Sequence, residues 1–239
     1  MQIQVPSGAV YDNDDLDIMQ MMGSFGFVRR SDEPFQLNSG IMSHVYVFGR
    51  EDLTDHPELE RLIGRKLAKT VYANTDVDER RQQCLIGVPV AGNTLAQAAS
   101  RESLELTNLT WTAQPIIHRV MREQPKQHGA HKKSWINGRP DTINHQYWWV
   151  DNVVTDGDSK ITAAKRGLED GYPAWEMPCL IYIDRQQGAL PRLKAAGFRR
   201  VHVVYNLLDI TFAFGELGLW PKSTVAAVEK EIAEHQFSA

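Results

Sequence analysis

Only two cysteines, Cys84 and Cys179, occur in the 239 residues. Each sits beside an apolar run, CLIGVPV and CLIYI, which argues against a disulfide framework and for two reduced, buried thiols. No stretch approaches the roughly 18 apolar residues that a membrane helix needs. The opening MQIQVPSGAVYDNDDLD lacks the charged and apolar segments of an export signal, so a cytoplasmic location without membrane partners is expected. Neither sign of charge dominates. With 26 basic against 30 acidic residues and a net charge of -4, the chain has no basic footprint for a nucleic acid partner. Repeats and low-complexity tracts are missing as well.

What is present is a rhythm. Short apolar, β-rich runs at 84–88 (CLIGV), 115–120 (PIIHRV), 147–151 (YWWVD), 179–183 (CLIYI) and 200–204 (RVHVV) alternate with stretches of helical spacing at 57–73, 92–100, 158–170 and 188–196. That alternation predicts βαβ units around a mainly parallel sheet, an α/β fold. Residues 1–50 and 206–239 flank the alternating core as additions to it, the latter ending in a predicted helix over 222–236. A long polar connection, 122–146, is rich in Lys, His, Gln and Gly, and a loop of that length inside a compact domain is usually functional or disordered. One domain over 1–239 is expected.

The stretch YWWVDNVVTDGDSK, 147–160, carries the sharpest chemistry. A buried parallel strand that ends in polar residues delivers them to the carboxyl edge of the sheet, where open α/β folds place ligands. The strand is predicted to end near Val150. Asp151 and Asn152 then offer acceptors suited to the adjacent hydroxyls of a ribose. Thr155, Gly157 and Ser159 lead into a helix whose first amides favour an anion such as a phosphate. A strand, a Gly turn and an Asp or Ser cap are also common in any βα unit.

This segment resembles the phosphoribosyl pyrophosphate motif of type I phosphoribosyltransferases: an apolar run, two acidic residues, two apolar residues, then hydroxyl residues and glycine. Four further stretches are similar, in order, to orotate phosphoribosyltransferases: FQLNSGIMSHVY (35–46), GVPVAGNTLA (87–96), HRVMREQPKQHG (118–129) and IDRQQGALPRLKAAGF (183–198). The resemblance covers about residues 25 to 215. It implies the type I phosphoribosyltransferase fold, with a hood from 1–50 and 206–239 and a flexible catalytic loop at 122–146. It also implies transfer of the phosphoribosyl group to orotate, giving orotidine 5′-monophosphate and pyrophosphate, or to another base. Residues 151–159 (Asp151, Asn152, Val153, Val154, Thr155, Asp156, Gly157, Asp158, Ser159) with Val90, Ala91 and Gly92 would bind the donor. Lys126, Arg122, His128 and Asp151 would be catalytic. Arg185, Thr155, Ser39, Gly40 and Tyr46 would meet the base. Mg²⁺ would arrive on the substrate, without direct protein ligands, and a homodimer with shared active sites is implied.

Bland readings stand beside these. The charge run Arg122, Lys126, His128, His131, Lys132 and Lys133 also fits a solvated loop, and His128 with His131 is half a metal site without matching ligands. The pair Asp184 and Arg185 also fits a structural ion pair. The acidic cluster 12–17 fits a solvated helix start.

Two departures from the pattern bear on activity. The second position of the acidic pair is an amide, Asn152, which hydrogen-bonds a hydroxyl but brings no charge to a cationic transition state. At ~5 Å and an effective dielectric of about 20, one unit charge is worth on the order of 3 kcal/mol, roughly a hundredfold in rate. Asp156 and Asp158 lie where carboxylates would repel a phosphate, unless they point outward or cap the following helix. Reduced activity, or binding without turnover, is the corresponding expectation.

Overall fold

The apolar runs become five strands; the three inner ones, at 82–87, 145–154 and 179–184, are buried on both faces, as a parallel sheet covered by helices requires, and the two edge strands are only half-buried. The computed structural model describes residues 2–37, 40–47, 51–76, 78–110, 114–128 and 133–234. In chain order its elements are β1 (Ile3–Gln4), β2 (Val10–Tyr11), α1 (Asn13–Phe25), β3 (Val28–Gln36), β4 (Met42–Val47), α2 (Glu51–Asp55) and α3 (Pro57–Ala73). There follow β5 (Gln82–Gly87), α4 (Ala91–Thr110), β6 (Ile117–Val120), β7 (His145–Val154), α5 (Asp158–Glu169) and β8 (Cys179–Asp184). The chain continues through α6 (Ala189–Ala196), β9 (Val201–Asn206), α7 (Leu207–Glu216) and α8 (Lys222–Glu234).

The main sheet runs β6-β5-β7-β8-β9 with every pairing parallel. Alternation along the strands divides the core. Leu85, Trp148, Val150, Leu180 and Tyr182 join residues of α1, α3, α4 and α7 in one cluster. Cys84, Ile86, Tyr147, Trp149, Cys179 and Ile181 join Ala163, Ala164, Ala189 and Leu193 of α5 and α6 in the other. Both cysteines are free and buried, and burial pushes the Cys179 thiol up to about 12. No helix among the described residues is long and apolar enough to cross a membrane.

Three expectations are corrected. The strand expected to end near Val150 runs on to Val154, because Asp151, Val153 and Val154 keep their register with β8. The helix expected over 92–100 extends to Thr110, since Ser103 and Thr107 turn their hydroxyls back onto helix carbonyls rather than ending it. The acidic cluster at 12–17 starts α1, but it is not merely solvated. Asp12 and Asp15 form a reciprocal capping box. Asp15 is itself buried, 2.5 Å from Lys66 Nζ of α3 and accepting from the Tyr205 hydroxyl of β9 at 2.6 Å.

The flanking segments build a hood. Strands β3 and β4 pair antiparallel, with a register shift between Arg30 and Phe35. Helix α8 docks Val228 and Ile232 into the same core as Val45 and Val47.

Candidate active site

Strand order fixes where a ligand can sit. The chain leaves β5 for β6 at one edge, then crosses back to β7 on the other side of β5. The helices that follow β5 and β7 lie on opposite faces, so their N-terminal turns flank the carboxyl ends of these two strands, the place where open α/β sheets bind ligands.

The first turn, 88–91, links β5 to α4 and contains a cis peptide between Pro89 and Val90. The glycines that flank it, Gly87 and Gly92, are dictated by contact with β7 and α4. A Cβ on Gly92 would lie 2.3 Å from the Val150 carbonyl oxygen, and one on Gly87 would lie 2.3 Å from Gly92 and Asn93 backbone atoms. Val88 donates its amide to Val150 O at 2.8 Å. Val90 is exposed at the tip.

The second turn follows β7 directly. Gly157 adopts φ 90° as the N-cap of α5, with no side chain capping the helix. A Cβ there would press on Leu193 of α6 at 3.0 Å. Of the two aspartates, one turns into the loop and the other points outward. Asp156 turns its Oδ1 onto the Asp158 amide at 3.0 Å, so it occupies one of the loop's own N–H groups. Asp158 points outward to Arg192 of α6 at 2.9 Å, and Arg192 also donates to Asp156 O. Thr155 is half-buried and Ser159 exposed.

Asp151 and Asn152 are both buried at the end of β7. Asp151 Oδ1 accepts the Asn152 amide at 2.8 Å, and Oδ2 lies 2.5 Å from Lys160 Nζ. Asp184, at the end of β8, is buried and accepts the Gln186 amide at 2.8 Å. Burial raises its carboxyl above the usual range, against the pull of that amide and of Lys160. Asn93 of α4 brackets the root of the long loop, its amide donating to Met121 O at 2.9 Å and its carbonyl accepting Met121 N at 3.1 Å.

The loop after β6 folds back on itself. Met121 bridges Ile136, Arg122 N donates to Trp135 O at 2.8 Å, and Lys126 N to Ser134 O at 3.0 Å. Asp170, at the end of α5, accepts both the Trp135 and Ile136 amides. Arg122 and Lys126 are half-buried and His128 is exposed. Lys133 has φ 69°. His131 and Lys132 lie outside the described residues, as does Ser39.

Arg185 is almost wholly buried, 1% exposed. It pairs not with Asp184 but with the hood: it donates to Ser43 Oγ at 2.8 Å, Val45 O at 2.9 Å and Gln187 Oε1 at 3.0 Å. Glu231 of α8 lies 3.9 Å away and accepts from the Ser43 hydroxyl at 2.5 Å and the His44 amide at 3.0 Å. Burial lowers the guanidinium to about 10, with Glu231 opposing. Gly40 is at φ 87°, and Tyr46 is partly exposed, edge-on to Phe35 at 5.0 Å.

The sequence reading missed Lys160, Asn93, Asp170 and Glu231. Lys160 left a trace: a cation in the first turn of a helix opposes the helix dipole and calls for a carboxylate partner. The others gave none, since their partners are 28 residues or more away in the chain, as with Asn93 and Met121, 28 residues apart.

A switch-point crevice flanked by two helix-leading turns, under a hood, is the architecture of the type I phosphoribosyltransferases. No protein-family model matches the chain, and no curated protein sequence does. Among solved structures the chain is similar to the UMP synthase of Leishmania donovani, with 19% identity over 92% of this chain and a TM-score of 0.70. It spans 42% of that longer protein. It is similar to the orotate phosphoribosyltransferase of Francisella tularensis, at 14% identity over 92% of this chain and 100% of that one, TM-score 0.64. The enzyme of the same name from Aeropyrum pernix matches at 23% identity over 85% of this chain and 99% of that one, TM-score 0.57. The likeness is one of fold: the chain has the type I phosphoribosyltransferase fold in its orotate phosphoribosyltransferase-like form.

Proposed function

We propose that this chain, working as one unit over 1–239, transfers the phosphoribosyl group of phosphoribosyl pyrophosphate to a ring nitrogen of a base, orotate first among them. The observation that carries the reading is the pair of turns, 88–92 and 155–159, which lead from the adjacent parallel strands β5 and β7 into helices on opposite faces of the sheet. Two anion-accepting turns side by side suit a sugar bearing a phosphate at one end and a diphosphate at the other. In the reaction the C1′–O bond to pyrophosphate breaks and its electron pair leaves with the oxygen. The base's ring-nitrogen lone pair forms the C1′–N bond, and that nitrogen gives up its proton to solvent.

In this reading Asp151 and Asn152 hold the ribose hydroxyls, and residues 153–159 cradle the 5′-phosphate. Val90, Ala91 and Gly92 meet the diphosphate. Lys126, with Arg122 and His128, offsets the charge on the leaving group in the closed site. Arg185, Thr155, Gly40, Tyr46 and Ser39 surround the base, and Arg185 reaches an orotate carboxylate by exchanging one of its present partners. Magnesium enters as part of the donor complex. Asp151 suits that arrangement, because both its oxygens are already engaged, one by the Asn152 amide and one by Lys160. A homodimer in which the 122–146 loop serves the neighbouring site, in the cytoplasm, completes the proposal.

One observation favours a second reading, a nucleotide-binding homologue with weak or no turnover: Asn152 and Asp156 both depart from what catalysis and phosphate binding call for. An assay of donor, magnesium and orotate, following orotidine 5′-monophosphate and pyrophosphate, separates the two. Turnover is expected. Donor binding by calorimetry without turnover would favour the second reading, and a donor that does not bind would sink both.

A further inference from the structure

Lys160 is the third residue of α5, and its ammonium is buried, with the side chain 3% exposed. A buried cation is tolerable only when it is paired and its hydrogens are satisfied. Here three hydrogens face three acceptors: Asp151 Oδ2 at 2.5 Å, Ser159 Oγ at 3.1 Å, and the Val153 carbonyl. The lysine thus ties the strand end that would hold the ribose to the turn that would hold the phosphate. Because Asn152 is an amide, Asp151 is the acidic side chain left in that pair, and its charge is matched by the ammonium beside it.

We infer that Lys160 is a positioning residue which cancels the charge of Asp151 at the sugar, so that the chain grips a phosphoribosyl donor firmly and transfers its sugar slowly. This rests on the phosphoribosyltransferase reading. Loss of pyrophosphate leaves positive charge at C1′, and a carboxylate assists only to the extent that its own charge is uncompensated. By matching Asp151, the same ammonium spares a phosphate in the 155–159 turn the repulsion of an unpaired carboxylate, a gain in attraction equal in the ground and transition states. Uniform attraction of that kind lowers KM without raising kcat.

The test measures kcat by pyrophosphate release, with orotate or water as acceptor, and donor affinity by calorimetry, on the wild type, Asn152→Asp, Lys160→Met and Lys160→Arg. Asn152→Asp is expected to raise kcat by about tenfold or more, because it restores a net negative charge near C1′. Lys160→Met is expected to weaken donor binding by about tenfold while kcat holds or rises, a split that lost uniform binding produces. Lys160→Arg should recover donor affinity. Melting temperatures show whether each variant is folded, and Asn152→Asp decides alone if Lys160→Met is not. The inference is overturned if Asn152→Asp leaves kcat unchanged, or if folded Lys160→Met loses kcat in step with donor affinity. A wild type that binds no donor defeats the phosphoribosyltransferase reading and the inference with it. Normal donor binding with the wrong response of the variants defeats the inference alone.

Discussion

At the scale of single residues, buried charge is what sets this protein apart. Arg185 and Glu231 tie β4, the end of β8 and α8 into one network around the Ser43 hydroxyl. Removing one member of a buried pair strands the other, a loss of about 3–5 kcal/mol. Arg185→Gln is therefore expected to lower the urea midpoint sharply, whereas Ser43→Ala, which deletes only a hydroxyl, should cost roughly 1–3 kcal/mol. Equal, negligible losses in both variants would mean the network does not hold the hood. Little of this was legible in the sequence. Arg185 stood out beside Asp184, but its partners come from positions 43, 45 and 231, and pairing over such separations leaves no local pattern. Asp151 was legible as a strand-end acceptor; its neutralisation by Lys160 was not, because the lysine's direction depends on α5 packing beneath the strand.

At the scale of elements, the long loop is held at its root and along its return arm. Asn93 joins its start to α4, and Asp170 joins its return to α5. Asn93→Leu keeps the volume and deletes both bonds to Met121, leaving that residue's backbone groups unpaired. A stability loss of about 1–3 kcal/mol is expected, with faster limited proteolysis within 122–135 than in the wild type. An unchanged cleavage rate would show that the loop root is held by something else. A second brace lies at the amino end of the sheet, where Glu79 accepts from Arg81, and Arg81 from there reaches Gln146 of β7. The Arg81 guanidinium holds the Glu79 carboxyl down at about 2, from an ordinary 4.5. A depressed carboxylate stabilises the fold above its unfolded value and loses that contribution as pH falls. Glu79→Gln should thus flatten the decline in stability between pH 4.5 and about 2, read from melting temperatures across that range.

At the scale of the whole molecule, glycines decide how closely the layers approach. Gly64 lets α3 lie against α4: a Cβ there would sit 2.6 Å from the Ala98 carbonyl carbon and oxygen. Gly92 does the same between the 88–92 turn and β7. Backbone cannot give way as a flexible side chain can, so Gly64→Ala and Gly92→Ala are each expected to cost about 1–3 kcal/mol or more. They should differ in function. Gly64→Ala acts away from the crevice and should leave donor affinity of the folded fraction intact, while Gly92→Ala should weaken it. Loss of donor affinity in both would mean the crevice is not bounded as described. The sequence by itself determined the alternation of strand and helix, the five parallel strands, the two turns and the order of the motifs. Hydrophobic periodicity and turn chemistry are local properties, and local properties are written in adjacent residues. Only the tertiary structure decided which charges are spent on one another: Lys160 on Asp151, Arg192 on Asp158, Glu231 beside Arg185. Those pairings depend on which side chains meet when the layers close, and burial in a medium less polar than water is what makes the first and the last of them consequential.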